Sequence, residues 1–211
     1  MNEEPILTPT EAPQKNGFAS TLFDVLEMFA WSLFAVFILF TFTIRLCRVD
    51  GSSMENTLYE GENLLVYSLG YTPKQDDIIV FHMTKSEADL EKTLVKRVIA
   101  TGGQSVFINF NTGEISIDGV RYEDTHAVLK DLQTQKELGF YENSDYLCLG
   151  NPYYNELENT LSVTVPENHL FVLGDNRNNS KDSRNPDILF VDERCVLGKV
   201  VLRLSPFTVL S

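Results

Sequence analysis

The sequence predicts a mainly β domain that follows a single N-terminal membrane helix. Two observations lead to this fold class. A run of 17 residues without a charge occupies Met28–Ile44, and short β-branched runs separated by turn residues recur after Leu58. The chain of 211 residues allows one domain, or two at most, and its hydrophobic content of 43% is sufficient for a core.

The N-terminal part is expected to be a tail followed by an anchor. Residues 1–17 carry three prolines and three glutamates, a composition typical of a disordered tail. The anchor helix is expected at 18–45, with a capping box at Thr21 and Asp24. Its uncharged run spans about 25 Å, the short end of what crosses a bilayer. The acidic leader and the lack of a small-residue cleavage site argue against a cleaved signal peptide, and a buried core helix is the other alternative.

The rest of the chain, 46–211, is expected to form the β domain. An Asp118-Gly119 pair between two β-branched runs predicts a tight hairpin. Residues 125–160 are polar and without a clear period, and we interpret them as an insertion. The expected strands are Asn63–Ser68, Asp77–His82, Thr93–Ala100, Ser105–Asn109, Glu114–Asp118, Val120–Glu123, Leu161–Val165, His169–Gly174 and Gly198–Ser205.

Charge and cysteine content exclude several classes of protein. The net charge of −13 argues against nucleic acid as a partner, because neutralising phosphates requires a basic surface. The three cysteines, Cys47, Cys148 and Cys195, form no C-x-x-C pair, so a disulfide framework or a zinc site is a weak interpretation. Nothing in the sequence requires a metal or a cofactor.

Ser53 and Lys96 are the candidate catalytic residues. Ser53 lies eight residues after Arg45, the first charge beyond the apolar run, and therefore within roughly 30 Å of the membrane along the chain. A serine hydroxyl requires a base, and a lysine can serve if burial disfavours its charged form. In an extended strand, Lys96 shares a face with Leu94 and Val98. A solvated Lys-Arg pair at a strand edge is the alternative, and the other candidate bases are His82, His126 and His169.

Four stretches, in this order, carry a resemblance to a known family. They are GSSMENTL (Gly51–Leu58), DIIVF (Asp77–Phe81), KRVIATGG (Lys96–Gly103) and GDNRNNSKDSR (Gly174–Arg184). They resemble the boxes G-x-S-M-x-P-T-L, G-D-I-V-V-F, K-R-V-I-G-x-P-G and G-D-N-R-x-N-S-x-D-S-R of bacterial type I signal peptidases, in their Gram-positive form. The last box matches in full, whereas Asn56 replaces the proline of the first.

The resemblance implies a signal-peptidase-type β fold and a membrane-bound serine endopeptidase. Such enzymes remove N-terminal signal peptides from secreted preproteins after small residues, in the pattern A-x-A, through an acyl-enzyme. Ser53 would be the nucleophile and Lys96 its general base, with Gly51 at the oxyanion position and Ser180 orienting the lysine amine. Structural support is implied for Arg97, Asp175, Asp182 and Arg184, and the apolar candidates for the substrate pocket are Val49, Met54 and Val95.

The resemblance also implies a location and partners. The family topology is single-pass in the bacterial cytoplasmic membrane, with the catalytic domain on the extracytoplasmic face, so the partners would be preproteins and the lipid bilayer. The positive-inside rule favours the opposite orientation, because one basic residue, Lys15, precedes the span and two, Arg45 and Arg48, follow it. The alternative functions are a non-catalytic pilus assembly factor of similar fold, a self-cleaving repressor with a serine–lysine pair, and an anchored β domain without chemistry.

Overall fold

The structure is a computed structural model that describes Gly17 and Cys148 and the ranges 19–83, 92–127, 150–205 and 207–210. The chain divides after Thr41 into two compact units. The insertion expected at 125–160 lies largely outside the described residues, which omit 128–147 and 149.

The first unit contains all but the last two residues of helix α1, Ala19–Thr43. Its segment Ser20–Thr43 is long and apolar enough to cross a membrane, and its side chains are almost all exposed. A long helix whose described side chains are mainly apolar suits a lipid environment. The capping box expected at Thr21 is wrong, because the helix begins earlier and the Thr21 hydroxyl donates to the carbonyl of Gly17 at 2.8 Å.

The second unit contains two antiparallel sheets, so the prediction of a mainly β domain behind one helix is confirmed. The larger sheet has the order β1-β2-β12-β3-β4-β10-β11, and β13 pairs with β12; the smaller has the order β7-β6-β5-β9-β8. The strands are β1 Ile44–Arg48, β2 Asn63–Tyr67, β3 Ile78–Met83, β4 Lys92–Thr101, β5 Ser105–Asn109, β6 Glu114–Ile117, β7 Val120–Arg121, β8 Tyr154–Asn155, β9 Thr160–Thr164, β10 His169–Leu173, β11 Val191–Asp192, β12 Val196–Leu204 and β13 Phe207–Val209.

The hairpin predicted at Asp118-Gly119 joins β6 to β7. Ile117 pairs with Val120, and the two residues between them have φ values of 52° and 78°. Positive φ at both central residues is the geometry of a type I′ turn, which asparagine or aspartate followed by glycine favours.

Strand β4 is the element that positions the candidate base. It pairs with β3 along Lys92–Arg97 and with β10 along Arg97–Thr101, and it is buried from Lys96 to Ala100. Apolar clusters cover it on both sides: Val98 packs with Ile79 and Phe81, whereas Ile99 belongs to the core of the small sheet. The polar side chains of Lys96 and Arg97 are therefore enclosed by the fold.

Candidate active site

Ser53 lies on the segment 49–62 between β1 and β2, which we call the serine loop. Met54 and Leu58 anchor this loop in the core, at 1% and 0% exposure, while Ser53 remains half-buried. A turn from the Met54 carbonyl to the Leu58 N–H, at 2.8 Å, closes the segment. Asn56 has a φ of 85°, which a proline cannot adopt, so the replacement of the family proline accompanies a different local backbone.

The Lys96 amine lies against the Ser53 hydroxyl. Its Nζ is 2.7 Å from Ser53 Oγ and 3.0 Å from the Val95 carbonyl oxygen, and the residue is 2% exposed. The pKa of Lys96 is lowered to about 8, mainly by burial; Asp182 and Asp175 oppose the shift, and the Arg184 charge adds to it. About one amine in ten is then neutral at pH 7, compared with roughly one in 2,500 for an unperturbed lysine. The pair can therefore act as nucleophile and general base.

Arg97 extends to the other face of β4, into a second buried site. It holds Asp175 through two bonds, from Nε to Oδ1 at 2.9 Å and from Nη2 to Oδ2 at 2.7 Å, and both residues are at most 1% exposed. Thr57 of the serine loop donates to Asp175 Oδ2 at 2.5 Å. Asp175 thus links β4 to the serine loop, and removing either charge of a buried pair typically destabilises a protein by about 3–5 kcal/mol.

Asp182 and Arg184 form a second bidentate pair in the segment Gly174–Arg184, which we call the aspartate loop. Arg184 donates from Nε and Nη2 at 2.8 Å each, and the Gly174 N–H donates to Asp182 Oδ2 at 3.0 Å. Burial raises the pKa of Asp182, but the Arg184 charge and these hydrogen bonds outweigh it and hold that pKa below its usual value. Asp182 is therefore ionised at neutral pH.

Ser180 is 3% exposed and packs against Gly174, but no hydrogen bond joins it to Lys96 in the described part of the chain. A Cβ placed on Gly174 would lie 2.2 Å from Ser180 Oγ and 2.5 Å from the Ser53 carbonyl oxygen. These three residues therefore meet at one point where only glycine fits. The expected role of Ser180 in orienting the lysine amine remains a prediction.

Two asparagines of the aspartate loop hold the serine loop, and the sequence analysis did not single them out. The Asn176 N–H donates to the Ser53 carbonyl at 3.1 Å, and its Nδ2 donates to the Ser52 carbonyl at 3.1 Å. Asn179 Nδ2 donates to Ser52 Oγ at 2.7 Å. The signal available in the sequence was the density of amide side chains in the last box.

Gly51 has a φ of 85° and open space around its Cα. In the described part of the chain, neither its N–H nor the N–H of Ser53 donates to an acceptor. The expected role of Gly51 at the oxyanion position remains a prediction.

The apolar candidates for the substrate pocket lie mainly in the core. Val49 and Met54 are 5% and 1% exposed, and Val95 is partly buried against the same cluster. Their role at the pocket remains a prediction. Of the alternative bases, His82 lies against Thr93 and His169 against the Glu167 carbonyl. Among the described residues, no group of three or more His, Cys, Asp or Glu is placed to hold a metal ion.

Comparison with known proteins gives consistent matches. The family model described as signal peptidase, peptidase S26, matches residues 22–205. Signal peptidase IB of Staphylococcus aureus (strain Mu50) is 30% identical over 178 residues, which cover 82% of this chain and 84% of the relative. Probable signal peptidase I-1 of Synechocystis sp. is 32% identical over 165 residues, covering 75% and 69%. The crystal structure of a signal peptidase I from Enterococcus faecalis is 26% identical, covers 62% of this chain and 97% of its own, and superposes with a TM-score of 0.39.

Proposed function

Because the chain belongs to the signal peptidase family, peptidase S26, we propose that Ser53 and Lys96 are the residues with which it removes signal peptides from preproteins. The protein is a serine endopeptidase of the signal peptidase I type. The observation that carries the assignment of residues is the distance of 2.7 Å between Lys96 Nζ and Ser53 Oγ at a buried amine. A non-catalytic assembly factor has no use for a lysine held in this way.

In the proposed reaction, neutral Lys96 accepts the hydroxyl proton while Ser53 Oγ attacks the carbonyl carbon of the scissile bond. The N–H groups of Ser53 and Gly51 stabilise the resulting oxyanion. The lysine ammonium then gives its proton to the leaving amine, the C–N bond breaks, and the signal peptide remains bound to Ser53 as an ester. A water molecule, deprotonated by the same amine, hydrolyses the ester and restores the free enzyme.

We propose that the preprotein binds as an extended strand beside the N-terminal half of β4. Strand β10 pairs with β4 only from Arg97 onwards, so within the described part of the chain the edge at Thr93–Val95 has no strand partner on that side. An added strand would gain main-chain hydrogen bonds there, and shallow pockets would select side chains. The partly buried Val95 next to Lys96 suits a small residue before the cleaved bond, in agreement with the A-x-A pattern.

The apolar helix and the family together make the protein a membrane-anchored enzyme. We propose that α1 spans the cytoplasmic membrane once and that the catalytic unit lies on the outer face, where secreted preproteins emerge. Arg45 and Arg48 after the span favour the opposite orientation. Protease added to intact cells decides the matter: degradation of the catalytic unit supports the outward orientation, and its survival until lysis contradicts it.

The test of the catalytic pair uses the purified full chain in detergent with a preprotein that carries an A-x-A site. We expect cleavage at that site by the parent protein and loss of cleavage in Ser53→Ala and Lys96→Ala. His82→Ala serves as the matched control and should cleave normally. Cleavage that persists in Lys96→Ala would refute the lysine as base, and a folded parent that cleaves no such preprotein would refute the proposed function.

A further inference from the structure

Arg177 is a buried arginine of the aspartate loop whose charge partner comes from another part of the fold. Its side chain is 7% exposed, and its Nη1 pairs with the carboxylate of Asp124, which is 13% exposed. The Arg177 Nε donates to the Gly174 carbonyl at 3.0 Å, while its buried Nη2 has no acceptor among the residues that the structure describes. Asp124 follows strand β7 of the small sheet, and its Oδ1 accepts the Ala127 N–H at 3.0 Å. The small sheet thus supplies an anion to the loop that holds Ser53.

Lys96 and Arg177 share three charged neighbours, because Asp175, Asp182 and Arg184 act on the pKa values of both. Each buried arginine has its own aspartate, in the pairs Arg97–Asp175, Arg177–Asp124 and Arg184–Asp182. With a neutral lysine amine these pairs have no net charge, and protonation of the amine leaves one positive charge in a region where charge is poorly solvated. Buried arginine charges therefore favour the neutral, reactive amine, whereas the aspartates that pair with them oppose this effect, as Arg184, Asp182 and Asp175 do for Lys96. Asp124 would enter this balance by compensating Arg177.

The other charged groups on elements packed around Lys96 have partners of their own. Glu55 of the serine loop accepts from Asn176 at 3.3 Å, and Asp76 accepts from the Tyr122 hydroxyl. Asp77, just before β3, pairs with Lys199 of β12 at 2.7 Å. The contacts of Glu55 and Asp77 do not involve the Arg177–Asp124 pair, whereas the charges of that pair also act on Tyr122.

Arg177 is also connected to the nucleophile Ser53 through steric contacts. Arg177 holds the Gly174 carbonyl, and Gly174 touches both the Ser180 side chain and the Ser53 carbonyl. A misplaced Arg177 would therefore move the aspartate loop at the point where it meets the nucleophile. An uncompensated arginine also repels the lysine ammonium. A displaced loop would lower the cleavage rate, whereas a changed charge would shift the apparent pKa, so an experiment can separate the two effects.

We propose that Asp124 is a positioning residue for signal peptide cleavage, which acts through Arg177 to balance the buried charges around Lys96. The inference rests on the proposed role of Lys96 as base. Asp124 lies outside the four stretches that resemble the family boxes and contacts no reacting atom.

The test compares the pH dependence of kcat/KM for the full chain in detergent. Asp124→Asn keeps the size of the side chain and an acceptor for Ala127, but leaves Arg177 uncompensated. In this variant we expect the apparent pKa of the kcat/KM profile to fall by about half a unit to one unit. A shift of that size is expected when one unpaired charge acts on the lysine without touching it. Arg177→Gln should raise the apparent pKa by a similar amount, and the double variant should return close to the parent value even if its rate is lower. Asp192→Asn, which breaks an exposed pair with Arg194, is the matched control and should leave the profile unchanged.

Opposite shifts in the two single variants would support the proposal, because a purely structural defect lowers the rate without moving the apparent pKa in opposite directions. Equal profiles, or shifts of the same sign, would overturn it. If Asp124→Asn fails to fold, comparing the apparent pKa of Arg177→Gln with that of the double variant still shows the direction of the shift. If the parent protein cleaves nothing, the proposed function and this inference are refuted together. If the parent cleaves but the variants show no shift in apparent pKa, only this inference is refuted.

Discussion

The pKa of Lys96 predicts the pH dependence of cleavage. The base works only when neutral, and burial lowers its pKa from 10.5 to about 8. The fraction of neutral amine is therefore about one in a hundred at pH 6, one in ten at pH 7 and nine in ten at pH 9. We expect kcat/KM to rise about tenfold per pH unit below pH 8 and to level off above it, since it follows the free enzyme's essential base.

The assay is the initial rate of cleavage of one preprotein at low concentration, from pH 5.5 to 10.5 in buffers of equal ionic strength. Ser53→Ala supplies the background at each pH, and circular dichroism shows the range in which the protein stays folded. A plateau reached by about pH 6.5–7 would indicate a histidine as the base and refute the reasoning. A rate that still rises tenfold per unit beyond pH 9.5 would show a lysine that burial does not perturb, and would refute it equally.

Two further predictions concern residues at the same point. Gly174→Ala should lower the cleavage rate about 100-fold or more, because its Cβ would lie 2.5 Å from the Ser53 carbonyl oxygen and even a shift of ~1 Å in a reacting group has an effect of that size. The control Gly17→Ala, with open space around the added Cβ, should cleave normally. An active Gly174→Ala would contradict the steric argument. Lys96→Met should abolish cleavage yet raise the free energy of unfolding at pH 7 by up to about 3 kcal/mol, which corresponds to the lowered pKa. Because the folded protein holds this proton more weakly than the unfolded chain, the parent gains stability as the pH rises from about 8 to 10.5, so urea titrations should show the difference between the two proteins shrinking over that range. A constant difference would contradict the assigned pKa.

The local elements of the fold could be predicted because their signals are short-range. The hairpin at Asp118-Gly119 follows from two residues that tolerate positive φ, and β4 was expected at Thr93–Ala100 and spans Lys92–Thr101. Strand β1, Ile44–Arg48, was not expected, because its first residue continues the apolar run of the helix. It is a strand because it pairs with β2, and the pattern of a single segment contains no information on that partner.

The site was predicted as a set of residues but not as an arrangement. Ser53 and Lys96 followed from the chemistry and from the resemblance, and the structure places them together. Asp175 was expected only as support, and its bond to Arg97, 78 positions earlier, depends on the order of strands in the sheet. Asp124 could not have been found, because its segment has neither periodicity nor a motif. Its proposed role depends on Arg177, which the fold brings to it.

Strand β12 lies between β2 and β3, although it is among the last segments of the chain. The larger sheet therefore has a gap at its centre until Val196–Leu204 has been synthesised, and the aspartate loop that holds Ser53 also comes late. A protein whose central contacts join distant parts of the chain folds more slowly than one built from neighbours. A nascent chain that ends before Val196 has no complete larger sheet, so the arrangement of Ser53 and Lys96 in this structure requires the final strands to be in place.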